Sequence, residues 1–168
     1  QEAFPFLIVW ELMTVSSFLL VIFDAEDRIT LKAGINYLIQ MHVGWFFLLV
    51  GFMISGQSTD RPGFDALSEY FAHNPNGLVF FLFFVGFGVK AGFIPLHTWL
   101  PQAHPAAPSH VSAVMSGVMI KMGIYGIFRV LTQVQQGLLT IGLILLAGSI
   151  VSGVQEMILT KAQHGLKR

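Results

Sequence analysis

The chain contains no cysteine. It therefore holds no disulfide, supplies no thiolate to an iron-sulfur cluster and gives no sign of its redox compartment, so any electron transfer it serves must take place in another subunit. An excess of charge is also missing. Nine Lys and Arg balance nine Asp and Glu to a formal net charge of +0, which argues against a nucleic-acid partner, and the one local basic excess is Lys161, Lys167 and Arg168. No repeat recurs at a fixed period and no segment is low in complexity. Neither a basic leader nor a small-residue cleavage site precedes the first apolar run, which starts almost directly after Gln1. The expectation is a fragment, or a processed piece, of a longer protein.

What the chain has in abundance is apolar surface. Hydrophobic residues make up 54% of it, charged residues 11%, and the mean hydropathy is +0.70, far from the soluble average. This composition defines an integral membrane protein. About 20 apolar residues cross the ~30 Å of bilayer hydrocarbon, and runs of that order cover 3–23, 31–54, 77–97, 110–132 and 138–160. The predicted fold is all-α and membrane-integral, with about five transmembrane helices in a single partial domain over residues 1–168. In the connection 55–76, Phe64, Leu67 and Phe71 recur at helical spacing opposite Asp65 and Glu69. That pattern suits a short interfacial helix, and a surface loop is the alternative.

Three ionisable residues interrupt the apolar spans near their centres: Glu11, Lys90 and Lys121. A charge at such depth costs roughly 2.5–3.5 kcal/mol on insertion scales, so it is expected to be paired, hydrated and functional. Removal from water disfavours an ammonium, whereas a nearby carboxylate favours it. A change in the distance between Glu11 and Lys90 would then switch the lysine between holding and releasing a proton. The alternative is a static pair retained for packing. His42 also stands mid-span, beside Gln40, where an imidazole could relay protons or simply pack.

The third span runs into the segment from Gly92 to His110, which holds four of the seven prolines, at 95, 101, 105 and 108. Pro95 cannot donate to the carbonyl of Ala91, so the helix is predicted to kink or break one turn beyond Lys90, leaving it discontinuous between Pro95 and Pro108. Exposed backbone at membrane depth is tolerated only where protein buries it or water lines it, which marks the break at Pro95 and Pro101 as a hydrated site. A plain helix end followed by a Pro-rich turn is the alternative. The glycines at 86, 88 and 92 include a Gly-x-x-x-Gly pair and suit close approach of a neighbouring helix. His97, His104 and His110 flank the prolines and are candidate relays; their spacing does not match a zinc site. Gly86-Phe-Gly88-Val-Lys90-Ala-Gly92 fits neither the Rossmann nor the P-loop spacing, so no cofactor or metal is expected. Counting Lys and Arg puts Arg28, Lys32, Lys161, Lys167 and Arg168 on one side and Arg61 and Arg129 on the other. The richer side, which includes a loop at 98–109 and the C-terminus, is expected to be cytoplasmic.

The stretch Val85-Gly-Phe-Gly-Val-Lys90-Ala-Gly-Phe-Ile-Pro95-Leu-His-Thr-Trp-Leu-Pro101-Gln-Ala-His-Pro105-Ala-Ala-Pro-Ser-His110, together with Trp10-Glu11-Leu12-Met13 and Lys121-Met-Gly-Ile-Tyr125-Gly-Ile-Phe-Arg129, resembles the antiporter-like membrane subunits. These occur in respiratory complex I, multisubunit sodium/proton antiporters and energy-converting hydrogenases. The wording His104-Pro-Ala-Ala-Pro and Met115-Ser-Gly-Val-Met-Ile-Lys121 is most similar to the members in hydrogenase-4 and formate hydrogenlyase. The resemblance implies that Glu11 is the modulating carboxylate, Lys90 the pumping lysine on a discontinuous helix, and Lys121 the central lysine that passes the proton onward. It further implies most of a first half-channel plus the opening helix of a second, no redox centre in this chain, and a multi-pass location in the cell inner (plasma) membrane. The implied partners are other membrane subunits, a peripheral redox arm and the lipid bilayer. A sodium/proton antiporter subunit and a non-conducting anchor are the alternatives. Two departures stand out: Gly165 where many relatives have Asp, and Ser116 where some have His.

Overall fold

The computed structural model describes residues 2–23, 27–58, 63–74 and 77–134, together with Gly142. Apart from that glycine, the expected fifth span lies outside the described residues, as do Arg61, Gln155, Glu156, Lys161, Gly165, Lys167 and Arg168. The described elements are helices: α1 (Ala3–Val21), α2 (Arg28–Ser55), a 3-10 turn (Gly56–Ser58), α3 (Phe64–His73), α4 (Leu78–Ala91), α5 (Leu100–Ala106), α6 (Ser109–Val114), a π turn (Met115–Met119) and α7 (Ile120–Leu131).

Three of these are long and apolar enough to cross a bilayer: α1 with 19 residues, α2 with 28, and the continuous run Ser109–Leu131 with 23. Their faces are sorted for lipid rather than water. On α1, Phe4, Ile8, Leu12, Val15 and Leu19 point outward, while Leu7, Trp10, Thr14 and Ser17 point inward. The outer face is apolar apart from Ser16, whose hydroxyl donates back to Leu12 O at 2.7 Å, and the inner one carries Thr14 and Ser17, as expected where the surrounding medium cannot satisfy a polar group. The chain is a multi-pass membrane protein.

α1 and α2 pack antiparallel, joined by three polar contacts in register. Trp45 donates its indole N–H to the carbonyl of Leu7 at 3.1 Å, His42 meets Glu11, and the Tyr37 and Ser17 hydroxyls are 2.6 Å apart. α4 lies against α2 on one side and α7 on the other. These approaches are close because glycine stands at the crossings. A Cβ on Gly86 would meet Leu48 at 2.6 Å, and one on Gly123 would meet the backbone nitrogen of Ala91 at 2.6 Å. Of the glycines expected to allow close approach, Gly86 is the one at the crossing: Gly88 faces Leu96 and Phe93 of its own segment, and Gly92 ends the helix.

α3 has the amphipathic pattern expected of it, with Phe64, Leu67 and Phe71 buried and Asp65 and Glu69 exposed. Its apolar face is applied to protein: the Phe64 ring lies 5.2 Å from those of Phe6 and Phe52, with the Arg129 guanidinium 4.4 Å above it. One aromatic cluster gathers Trp10, Phe52, Phe64, Phe83 and Phe87, and a second centred on Tyr37, Met41, Trp99 and Met115 fills the space beneath the broken helix.

The break occurs two residues beyond Lys90, at Gly92. Gly92 has φ 71, the left-handed conformation that glycine adopts without steric cost. The Phe93 amide donates to Gly88 O at 3.1 Å and the Gly92 amide to Val89 O at 3.3 Å, which is the Schellman pattern. The helix is therefore over before Pro95 exerts any effect. The expected loop at 98–109 is also corrected: α5 occupies Leu100–Ala106 within it. Pro101 sits in the first turn, where a missing N–H costs nothing, and Pro105 in the last, so this short helix accommodates both. The π turn ahead of Lys121 had no signal in the sequence pattern.

Asp27 starts α2 by accepting the Thr30 amide at 2.7 Å, and that hydrogen bond holds its carboxyl below the ordinary value of 3.8. A group depressed in the folded state supports the helix start above its ordinary value and ceases to do so as pH falls through the lower folded one. Hydrogen exchange in the first turn of α2, corrected for its intrinsic pH dependence, should therefore be slow at neutral pH and accelerate well below pH 3.8. Asp27→Ala should exchange fast already at neutral pH and Asp27→Asn should not; equal protection in both variants would contradict the cap.

Candidate functional site

Lys90 is 1% exposed, one of the largest side chains shut entirely inside the protein. Four features of the fold converge on its ammonium. The first is Thr14 on α1, whose hydroxyl donates to Trp10 O at 3.1 Å and thereby turns its lone pairs toward Lys90 Nζ, which donates to it at 2.8 Å. The second is the indole of Trp10, with its centroid 4.8 Å from Nζ, a cation–π contact of roughly 2 kcal/mol when desolvated. The third follows from the helix end. Because α4 stops at Ala91, Lys90 lies in the last turn of a helix terminated inside the protein, where the negative end of the backbone dipole favours a cation. The fourth is Glu11, which acts on Lys90 electrostatically but forms no ion pair with it within 4.0 Å.

Glu11 is instead closest to His42: Oε1 and Nε2 are 2.9 Å apart. The other ring nitrogen, Nδ1, is 2.8 Å from the carbonyl of Leu38. The sequence held the signal for this pair. Glu11 is at the middle of the first span and His42 at the middle of the second, and a short connection makes those midpoints meet.

Trp99 secures the break. It is fully buried and donates its indole N–H to Val89 O at 2.8 Å, with its ring 5.1 Å from that of Tyr37. Further polar contacts fasten the interrupted segment to α2: Thr98 donates to Gln40 at 3.0 Å, Gln40 to Asn36 at 3.2 Å, and Asn36 to Gln102 at 3.0 Å. α5 thereby lies beside the first turn of α2, sharing a groove lined by Asp27, Lys32, Pro101 and Gln102. Trp10 and Thr14 are apolar-looking or weakly polar residues in a helical run and Trp99 is one aromatic in a proline-rich turn, so pattern alone could not single them out.

The other expected site residues are more scattered. Lys121 projects from the exposed face of its helix with Val118 and Tyr125, although that helix packs against α4 through Gly123. Lys90 and Lys121 are not brought together among the described residues. His104 is half-buried between two hydroxyls, with Nδ1 2.6 Å from Ser112 and Nε2 3.4 Å from Ser116. His97 is half-buried in the turn after the break, and His110 is exposed at the start of α6. Among the described residues no cluster of His, Asp and Glu could hold a metal ion.

A helical membrane protein with a lysine sealed beside a broken helix is the class this geometry defines. A family profile described as NADH:quinone oxidoreductase/Mrp antiporter, TM, matches residues 1–168, and the chain belongs to that family. It is 41% identical over 174 aligned positions to hydrogenase-4 component B of Escherichia coli K12, covering 100% of this chain and 25% of that protein. To NAD(P)H-quinone oxidoreductase chain 4-3 of Nostoc it is 35% identical, over 77% of this chain and 23% of the relative. The chain thus spans about a quarter of the length of these relatives. Among solved structures, the fold matches a chain of the archaeal membrane-bound sulfane sulfur reductase with a TM-score of 0.79 at 22% identity, covering 89% of this chain and 32% of that one. The Mrp complex from Dietzia gives a TM-score of 0.66, also at 22% identity, covering 79% and 26%.

If Thr14 holds the buried ammonium, Thr14→Val should destabilise the packing of α1 on α4 by about 1–3 kcal/mol, the cost of leaving a buried polar group without its partner. Thr14→Ser should behave as wild type. The readout is the thermal unfolding midpoint of the purified membrane protein, and an unchanged midpoint for Thr14→Val would remove Thr14 from the site.

Proposed function

We propose that the chain forms part of a membrane subunit that translocates protons, coupled to electron transfer in a hydrogenase or NADH:quinone oxidoreductase complex. The observation that carries this reading is the sealed Lys90 at the end of a helix that stops inside the protein. Such a group binds or releases a proton according to the charge around it, and little else explains keeping a lysine there. Family membership and the identity to hydrogenase-4 component B support the reading.

In this proposal protons reach the broken helix from the cytoplasmic side by way of His97, His104 and His110. Lys90 takes them up under the influence of Glu11, and they pass through water to Lys121. His104 has partners suited to its part, since the Ser112 and Ser116 hydroxyls form a short polar chain through the imidazole. Ser116, which replaces a histidine found in some relatives, would then conduct as a hydroxyl. Residues 1–168 would supply most of a first half-channel and the opening of a second. Its partners would be other membrane subunits and a peripheral redox arm, in the cell inner (plasma) membrane. Arg28 and Lys32 stand at the same end as α5, which supports placing that end in the cytoplasm. The redox chemistry belongs to those partners, because a chain without cysteine has no thiolate to hold a cluster.

The test is proton uptake into liposomes containing the intact complex, followed with a pH-sensitive dye. Lys90→Ala and Glu11→Ala should each lower the rate at least tenfold while the complex still assembles. Wild-type rates in Lys90→Ala would overturn the proposal, and transport that depends on sodium rather than on the redox substrate would replace it with ion exchange.

A further inference from the structure

Resting on that reading, we propose that Glu11 and His42 bind one proton between them, so that a carboxylate–imidazole pair, rather than the carboxylate alone, sets the charge opposite Lys90.

The argument is one of donors and acceptors. The Leu38 carbonyl can only accept, so the His42 nitrogen 2.8 Å from it, Nδ1, must carry hydrogen. A neutral imidazole has only one N–H, which would leave Nε2 with a lone pair turned toward Glu11 Oε1 at 2.9 Å. A carboxylate and an imidazole lone pair repel at that separation. A proton between them converts the repulsion into a charge-assisted contact, whether it rests on Nε2 as imidazolium or on Oε1 as carboxylic acid. In either form the pair is neutral.

The surroundings favour such a shared site. Both carboxylate oxygens of Glu11 are shielded from solvent, and neither makes a well-aligned hydrogen bond to a protein donor. The short approach of Nε2 lies off the ideal axis and is the nearest basic contact they have. The titratable groups arranged about Glu11 are His42 and Tyr37 on α2 and Lys90 on α4, the last two coupled to it through the electric field. The phenol of Tyr37 is engaged with Ser17. His42 is thus placed to exchange the proton while Lys90 responds to it. Loss of the shared proton leaves a carboxylate and a neutral imidazole, taking the pair from zero to one negative charge and strengthening the hold on a proton at Lys90. Its return removes that hold. His42 then acts as a positioning and charge-setting residue for Lys90, outside the series of relays from the broken helix to Lys121.

The decisive measurement is magnetic resonance on the intact complex in lipid, with 13C in the Glu11 carboxyl and 15N in the His42 ring, across a pH series. A shared proton makes both nuclei report the same midpoint, because interacting groups titrate as a pair. Glu11→Gln should then shift the His42 midpoint by about one pH unit or more. His42→Gln should displace the pH profile of proton transport by a similar amount without abolishing transport. Separate midpoints for the two nuclei, or a His42 curve unmoved by Glu11→Gln, would overturn the proposal. These outcomes are distinct from failure of the transport reading, which is decided by Lys90→Ala; in that variant Glu11 and His42 should still share one midpoint, displaced in pH because the coupling to Lys90 is gone.

Discussion

Everything in the described structure is arranged around one costly act, the removal of the Lys90 side chain from water and lipid alike. Hydrocarbon offers an ammonium nothing, so the protein must supply the solvation itself. It does so with a hydroxyl at 2.8 Å, an indole face at 4.8 Å, and the terminal backbone dipole of α4. These are moderate interactions of different kinds. Together they make a polar pocket of fixed shape that holds the ammonium without a tight ion pair.

The broken helix is what makes that solvation available. A continuous helix would bury its carbonyls in its own ladder and present only side chains to Lys90. Ending α4 at Gly92 frees carbonyls close to the lysine, and the structure then has to account for each of them. Gly88 O and Val89 O are taken by the Schellman turn, and Val89 O also by the indole of Trp99. Trp99 in turn is held by Tyr37, and Thr98 and Gln102 on either side of it by Gln40 and Asn36 on α2. The interruption is therefore a braced piece of architecture, with α2 serving as the post to which both the break and the Glu11 carboxylate are fastened.

Much of this was readable from the residues. The long helices and the mid-depth charges Glu11, Lys90 and Lys121 follow from length and hydropathy alone, because a bilayer has a fixed thickness and penalises charge everywhere within it. Proline density located the break to within three residues but credited it to Pro95, when the left-handed Gly92 ends the helix first. The 98–109 segment read as loop because three prolines crowd it, yet prolines in a first and a last helical turn leave room for α5. Lys121 falls near the midpoint of the run Ser109–Leu131, as counting residues predicts, while its direction from the helix was not accessible, because direction follows from what the neighbouring helices cover.

The sequence by itself determined that this chain lives in a membrane, which runs are apolar enough to cross it, and where along each run the ionisable groups fall. These are one-dimensional quantities set by a slab of hydrocarbon. Only the tertiary structure decided who meets whom: that Thr14 and Trp10 receive Lys90, that Glu11 turns to His42, and that Trp99 seals the helix end. Partners at the same depth compete for each charge, and the choice among them rests on helix rotation and on glycine-width approaches such as Gly86 and Gly123, which no pattern along the chain encodes separately from the packing it produces.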